Sequence, residues 1–127
     1  MRENDVVLVV DDCADWRESI REALEDLGHQ VIEASNGQQA FNLLVFNHDV
    51  RVKLIVLDLE MPIMNGWDFL NLTRSYVRLA SIPVVIVSGY AKLLHEEQYP
   101  GLVGCLQTPC AMPTLTNLVQ ATVGPPT

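Results

Sequence analysis

Five short runs rich in β-branched and aliphatic side chains punctuate the chain, at residues 6–10, 30–34, 53–57, 82–87 and 102–107. Three of them are nearly unbroken apolar stretches, as expected of strands buried on both faces. Helical spacing fills the intervals. Trp16, Ile20, Ala23, Leu24 and Leu27 repeat on one face, with Gly28 placed to end that helix. Asn36 can cap a second helix carrying Ala40, Phe41, Leu43 and Leu44. Trp67, Phe69, Leu70, Leu72 and Val77 mark a third, residues 90–98 a fourth, and residues 112–123 a fifth that Pro113 opens from its first turn. Strand and helix alternating at these lengths predict an α/β fold: a doubly wound five-stranded parallel sheet with five helices. Residues 1–123 read as one domain, and residues 124–127, Gly-Pro-Pro-Thr, as a tail or the start of a linker.

The polar residues that interrupt this pattern fall at strand ends. Asp11 and Asp12 follow the first strand, Asp58 closes the third, Ser88 the fourth and Thr108 the fifth. The carboxyl ends of the strands of an open parallel sheet face the ligand crevice, so four strand ends offer polar groups to one small volume. Three carboxylates in one pocket repel: two unit charges about 4 Å apart interact by roughly 4 kcal/mol at an effective dielectric near 20. Such a cluster binds a cation or raises a pKa. Oxygen donors without His or Cys suit a hard ion such as Mg²⁺. The bland alternative for Asp11 and Asp12 is a turn or helix cap, with Asp12 or Asp15 capping the first helix.

Composition narrows the function classes. The chain has 127 residues, enough to bury a core without disulfides or metal. Its formal charge of −8 argues against a nucleic-acid surface and favours a partner or ligand that brings positive charge. Cys13, Cys105 and Cys110 show no metal-ligand spacing, and no apolar export signal or membrane-length run is present. Free thiols in a reducing cytoplasm are the expectation. His29, His48 and His95 have no neighbours at ligand spacing and read as surface or helix-end residues.

Four segments taken together resemble the receiver domain of bacterial response regulators, the CheY-like superfamily of two-component signalling. They are Val7-Leu8-Val9-Val10-Asp11-Asp12; Leu57-Asp58-Leu59-Glu60-Met61-Pro62 with Asn65-Gly66; Val85-Ile86-Val87-Ser88-Gly89; and Leu106-Gln107-Thr108-Pro109. The resemblance covers essentially the whole chain. It implies that Asp58 is a phosphoacceptor taking a phosphoryl group from a sensor histidine kinase or phosphotransfer protein. It implies Mg²⁺ held by Asp11, Asp12, Asp58 and the backbone carbonyl of Glu60, and a hydroxyl at Ser88 that hydrogen-bonds the phosphoryl group. It also implies a cis peptide before Pro109, and output to a downstream protein partner through the fourth helix, fifth strand and fifth helix. Direct nucleic-acid or membrane binding and multi-turnover catalysis are not expected, only transfer onto Asp58 and its slow reversal.

The sequence departs from that family at two places. Thr108 stands where the family has the Lys that pairs with the phosphoryl group, and Cys105 where it has an inward-turning aromatic. Cys105 reads instead as a small core residue. Lys92, near the start of the fourth helix, is a cation that can reach toward the pocket, and Tyr90 either shields the site or stands as a half-exposed helix residue. A receiver with altered output and a pseudo-receiver that acts by partner binding alone are both compatible with these changes. An aspartate-nucleophile phosphohydrolase fits less well, because those enzymes carry a pair of aspartates two apart after the first strand, whereas the candidate nucleophile here, Asp58, follows the third.

Overall fold

The computed structural model describes residues 5–47, 49–91, 99 and 101–124. The elements run β1 (Asp5–Val10), α1 (Ala14–Asp26), β2 (Gln30–Ala34), α2 (Gly37–Phe46), β3 (Arg51–Leu57), α3 (Gly66–Arg74), α4 (Val77–Ala80), β4 (Val84–Ser88), β5 (Leu102–Gln107) and α5 (Met112–Val123). All five strands are parallel, in the order β2-β1-β3-β4-β5. The chain reverses its winding direction beside β1 and β3, so the switch point lies where their carboxyl ends meet.

Alternation along the central strands divides the core into two layers. Leu8, Val10, Ile55, Leu57 and Ile86 point to one face, where Ala40, Leu44, Phe69, Leu70 and Leu79 cover them. Val7, Val9, Leu54, Val56, Val85 and Val87 point to the other, against Ile20 and Leu24 of α1 and Leu115 and Val119 of α5. Because β1, β3 and β4 are buried on both faces, they read as continuous apolar runs rather than alternating ones.

The sequence expectations hold at most boundaries and fail at instructive ones. Asn36 caps α2, its side chain accepting a hydrogen bond from the Gln39 N–H at 2.8 Å. Gly28, at φ +95°, follows the end of α1 in the left-handed region that glycine adopts without strain. The third helix stops at Arg74 instead of running to Val77, and a separate turn of helix, α4, follows. Its first residue, Val77, is 91% exposed, so this apolar side chain belongs to no buried stripe. β4 begins two residues later than its apolar run: the Pro83 carbonyl still accepts the Ile55 N–H at 3.0 Å, but proline has no N–H to give the ladder. The helix expected at residues 90–98 lies almost wholly outside the described residues, as does Lys92. His29 is buried rather than at the surface, only 2% exposed; His48 and His95 are not described.

Two parallel ladders step over one residue each. The β1–β3 register passes from Val6↔Val52 to Val7↔Leu54, stepping over Lys53, and the β4–β5 register steps over Val103.

Candidate functional site

Backbone hydrogen bonds continue one residue beyond the strands and set the site. The Asp11 N–H donates to the Ala34 carbonyl at 3.1 Å, the Asp58 N–H to the Val10 carbonyl at 3.0 Å, and the Thr108 N–H to the Ser88 carbonyl at 3.1 Å. Asp11 and Asp58 therefore end adjacent strands, which in a sheet lie about 4.8 Å apart. One carboxylate oxygen from each of Asp11, Asp12 and Asp58 falls within 4.8 Å of the others. Asp11 is buried, Asp58 half-buried and Asp12 exposed, so the cluster opens toward solvent on the Asp12 side.

Each carboxylate is oriented by the backbone around it. Asp11 Oδ1 accepts the Cys13 N–H at 2.9 Å. The N-cap of α1 is Cys13, with no side-chain cap, so neither Asp12 nor Asp15 takes the capping role. Arg17 binds the Asp11 carbonyl at 2.7 Å and Glu33 at 2.9 Å, which holds the start of α1 beneath the site. Asp58 Oδ1 accepts the Leu59 N–H at 2.8 Å and the Glu60 N–H at 3.4 Å. Gly66 makes this turn possible: a Cβ there would lie 2.3 Å from the Asp58 carbonyl oxygen. Its N–H donates to the Leu59 carbonyl at 2.9 Å.

Electrostatics in the cluster favour a counter-charge. Burial, and then the neighbouring Asp58 and Asp12, push Asp11 up to about 6 despite the Cys13 hydrogen bond and the Arg17 charge. Asp58 is also raised, chiefly by burial, while hydrogen bonds from Ser88 and from the Glu60 and Leu59 N–H groups act against the rise. Three mutually repelling oxygens within one ion's reach, with no nitrogen or sulfur donor among them, are a donor set that fits a hard divalent cation such as Mg²⁺.

The cavity above these residues has a volume of about 580 Å³. Ser88, 2% exposed, contributes a hydroxyl that bonds Asp58 and accepts the Tyr90 N–H at 3.2 Å. Thr108 lines the cavity beside Ser88, its Oγ1 near enough to Gly89 to touch a Cβ at 3.7 Å. The peptide between Thr108 and Pro109 is cis. Cys105 is partly buried and packs against one core layer.

Three features of the site were not evident from the sequence. The Tyr90 hydroxyl hydrogen-bonds the Glu60 carboxylate, spanning from the β4 end to the loop after Asp58. Trp16, which the helical stripe marks as core, lines the cavity as well as packing on the core, and its Nε1 is buried without a hydrogen-bond partner among the described residues. Cys13 and Cys110 also line the cavity.

The arrangement has counterparts among known proteins. The response regulator receiver domain model matches residues 7–120. A chemotaxis protein CheY homolog of Campylobacter jejuni is 37% identical over 83 residues, which are 65% of this chain and 62% of that protein. Chemotaxis protein CheY1 of Helicobacter pylori is likewise 37% identical over 83 residues, 65% of each chain. The matched segments thus span under two thirds of these relatives. A response regulator receiver protein from Pseudomonas putida superposes with a TM-score of 0.79 at 26% identity, covering 95% of this chain and 99% of the other. The receiver domain of sensor histidine kinase PA1611 from Pseudomonas aeruginosa, with a magnesium ion coordinated in its active site cleft, shares the fold at TM-score 0.79 and 21% identity over 97% of this chain and 99% of that one. With the strand order, the acidic strand ends and a family match over nearly the whole length, the chain belongs to the response regulator receiver domains of two-component signalling.

Proposed function

We propose that Asp58 is the phosphoacceptor of this receiver domain and that Mg²⁺ is held beside it by Asp11, Asp12, Asp58 and the Glu60 backbone carbonyl. The observation that carries this reading is the convergence of three carboxylate oxygens within 4.8 Å at the ends of β1 and β3. In the reaction, an Asp58 carboxylate oxygen attacks the phosphorus of a phosphohistidine or small acyl phosphate. The bond from phosphorus to the donor breaks, and its electron pair leaves with the donor group. When bound by these residues, a divalent cation would supply positive charge toward the phosphoryl oxygens and offset the repulsion among the carboxylates. It is the same kind of ion that the P. aeruginosa receiver domain carries in its cleft.

The chain's own residues perform the remaining tasks. The Leu59 and Glu60 N–H groups fix Asp58 Oδ1, which leaves its other oxygen to face the cavity. Ser88 turns its hydroxyl from Asp58 to a phosphoryl oxygen, and Thr108, beside Ser88 at the end of the neighbouring strand, offers one neutral hydrogen bond. Tyr90, tied to Glu60, narrows the opening through which water reaches the acyl phosphate. The phosphoryl donor is a sensor histidine kinase or phosphotransfer protein, and the output is to a downstream protein, without direct nucleic-acid or membrane contact. Among the described residues no helix is long and apolar enough to cross a membrane.

Thr108 favours a second reading, a receiver fold that signals by partner binding alone, because a neutral hydroxyl replaces the family's cation. Charge-assisted hydrogen bonds are roughly twice as strong as neutral ones, so the phosphorylated state is less stabilised here. Borohydride trapping after incubation with Mg²⁺ and acetyl phosphate separates the two readings. Reduction of residue 58 alone, dependent on Mg²⁺, supports the phosphoacceptor; no reduced residue, or reduction elsewhere, supports partner binding alone.

A further inference from the structure

The loop that follows Asp58 is fastened from α2, a helix that does not line the cavity. The Gly37 N–H, at the start of that helix, donates to the Met64 carbonyl at 2.8 Å. Gly37 is buried there, and a Cβ in its place would lie 2.6 Å from the carbonyl oxygen, 2.9 Å from Met64 Cγ and 3.1 Å from Met64 Cβ. The nearest of these atoms is backbone, so no side-chain rotation makes room. Gly37 is not among the glycines of positive φ, so the close approach is what this glycine serves. Asn36 holds the same helix end, its side chain accepting the Gln39 N–H at 2.8 Å.

A push on Met64 has little to absorb it before it reaches Asp58. The Gly66 N–H donates to the Leu59 carbonyl at 2.9 Å and closes the loop into a ring. Inside that ring the Met64 N–H donates to the Pro62 carbonyl at 2.7 Å across Ile63, whose φ is +70°. This is the rarer and more strained hand of three-residue turn. The Pro62 ring fixes its own φ, and Leu59 and Met61 are buried in the core. On the other side of Met64, Asn65 caps α3 by accepting the Asp68 N–H at 2.9 Å, so that end is pinned as well. Few torsions remain free between Met64 and Glu60. The Leu59 and Glu60 N–H groups are the donors that orient Asp58 Oδ1, and the second of these bonds is already long, at 3.4 Å.

We propose that Gly37 is a positioning residue for phosphoryl transfer: its close seat on Met64 holds the loop whose two amides aim Asp58 and whose Glu60 carbonyl completes the cation site. A single methyl group at position 37 shifts that loop without entering the cavity. The consequence for Mg²⁺ rests on the phosphoacceptor reading, whereas the effect on the two amides does not.

Gly37→Ala is the test, with Gly104→Ala as the control for damage to the fold. In the control the new Cβ meets the Leu118 side chain at 2.7 Å, in the other core layer. Hydrogen exchange of single amides, followed by NMR without any cation, reads the loop directly. After correction for global stability from urea unfolding, the Leu59 and Glu60 amides exchange about fivefold or more faster in Gly37→Ala than in wild type, and at the wild-type rate in the control. A Mg²⁺ titration of the same samples, followed by the Asp58 amide shift, reads the site. The Kd for Mg²⁺ rises about tenfold in Gly37→Ala and is unchanged in the control, as expected when a group behind a metal ligand is altered. If Gly37→Ala does not fold, Asn36→Ala takes its place: it loosens the same helix end by removing only the cap on Gln39, and the same faster exchange at Leu59 and Glu60 is expected. Unchanged exchange at both amides overturns the proposal, and so does a Gly37→Ala chain that binds Mg²⁺ as tightly as wild type. A wild-type chain that binds no Mg²⁺ contradicts the phosphoacceptor reading instead, and the exchange rates then decide the role of Gly37 by themselves.

Discussion

Asp11→Asn should make the protein more stable while destroying its cation site. The Asp11 carboxyl is held at about 6 instead of 3.8, with burial the largest cause and the charges of Asp58 and Asp12 adding to it. At about 1.36 kcal/mol for each tenfold change, ionised Asp11 costs the folded state up to about 3 kcal/mol. An Asn side chain keeps an oxygen to accept the Cys13 N–H, now 2.9 Å from Asp11 Oδ1, and removes the charge. Below pH 3.8 Asp11 is protonated in both folded and unfolded chains and contributes no difference. Between 3.8 and about 6 the unfolded chain releases its proton first, so rising pH erodes stability, and above about 6 the whole cost is in place. The Asn variant should therefore gain up to about 3 kcal/mol at pH 7.5, less at pH 5, and nothing near pH 3.5. In urea unfolding followed by circular dichroism, that gain moves the midpoint by about 1–2 M for typical slopes. Mg²⁺ closes most of this gap, and reverses the ranking only near one thousand times the Kd, where binding contributes about 4.1 kcal/mol. Wild type gains about 2.7 kcal/mol at a cation concentration one hundred times the Kd, and the variant gains far less. A variant no more stable than wild type at pH 7.5 without Mg²⁺ would refute the claim that Asp11 is a strained, cation-seeking carboxylate.

Other perturbations probe separate parts of the account. Ile63 sits at φ +70° with its side chain 83% exposed, so Ile63→Gly should relieve about 1 kcal/mol of left-handed strain with no loss of packing; an unchanged or lower urea midpoint would count against that strain. His29 is held below its usual 6.5 by burial and then by Lys53, so the folded chain resists protonation and its stability falls as pH drops through 6.5. His29→Leu, compared in an Asp11→Asn background to remove the opposing titration, should flatten the urea midpoint between about pH 7.5 and 5.5; a slope identical to that of the parent would exclude His29 as its source. Thr108→Lys should lengthen the life of the acyl phosphate, followed as decay of the phosphorylated mass, because a charged donor replaces a neutral one. No gain would place the loss of switching elsewhere in the chain as well.

The sheet was legible because three strands are buried on both faces and their apolar runs have no other use. The positions of Asp11, Asp58, Ser88 and Thr108 followed from those runs, since a strand end is fixed once the strand is. Asn36 was legible as a cap for the same local reason. What sequence pattern could not supply were contacts made across elements. Trp16 keeps helical spacing whether its ring packs only on the core or also walls the cavity, and periodicity does not separate the two. His29 looked peripheral because it follows the Gly28 turn, yet its ring is buried beside Lys53 at the start of β2. Val77 extended the third helical stripe by spacing alone, whereas the chain breaks at Ser75 and Tyr76 and turns Val77 to solvent. The bond between Tyr90 and Glu60 joins two loops thirty positions apart, and no local rule reaches that far.

Intact mass spectrometry after incubation with Mg²⁺ and acetyl phosphate, beside an Asp58→Asn control and a sample with excess EDTA, tests the central claim most directly. The account predicts one phosphoryl adduct in the wild-type chain with Mg²⁺, and none in the control or without the metal. An adduct that persists in Asp58→Asn, or a wild-type chain that binds Mg²⁺ yet takes no phosphoryl group from acetyl phosphate or from a phosphohistidine donor, would contradict it.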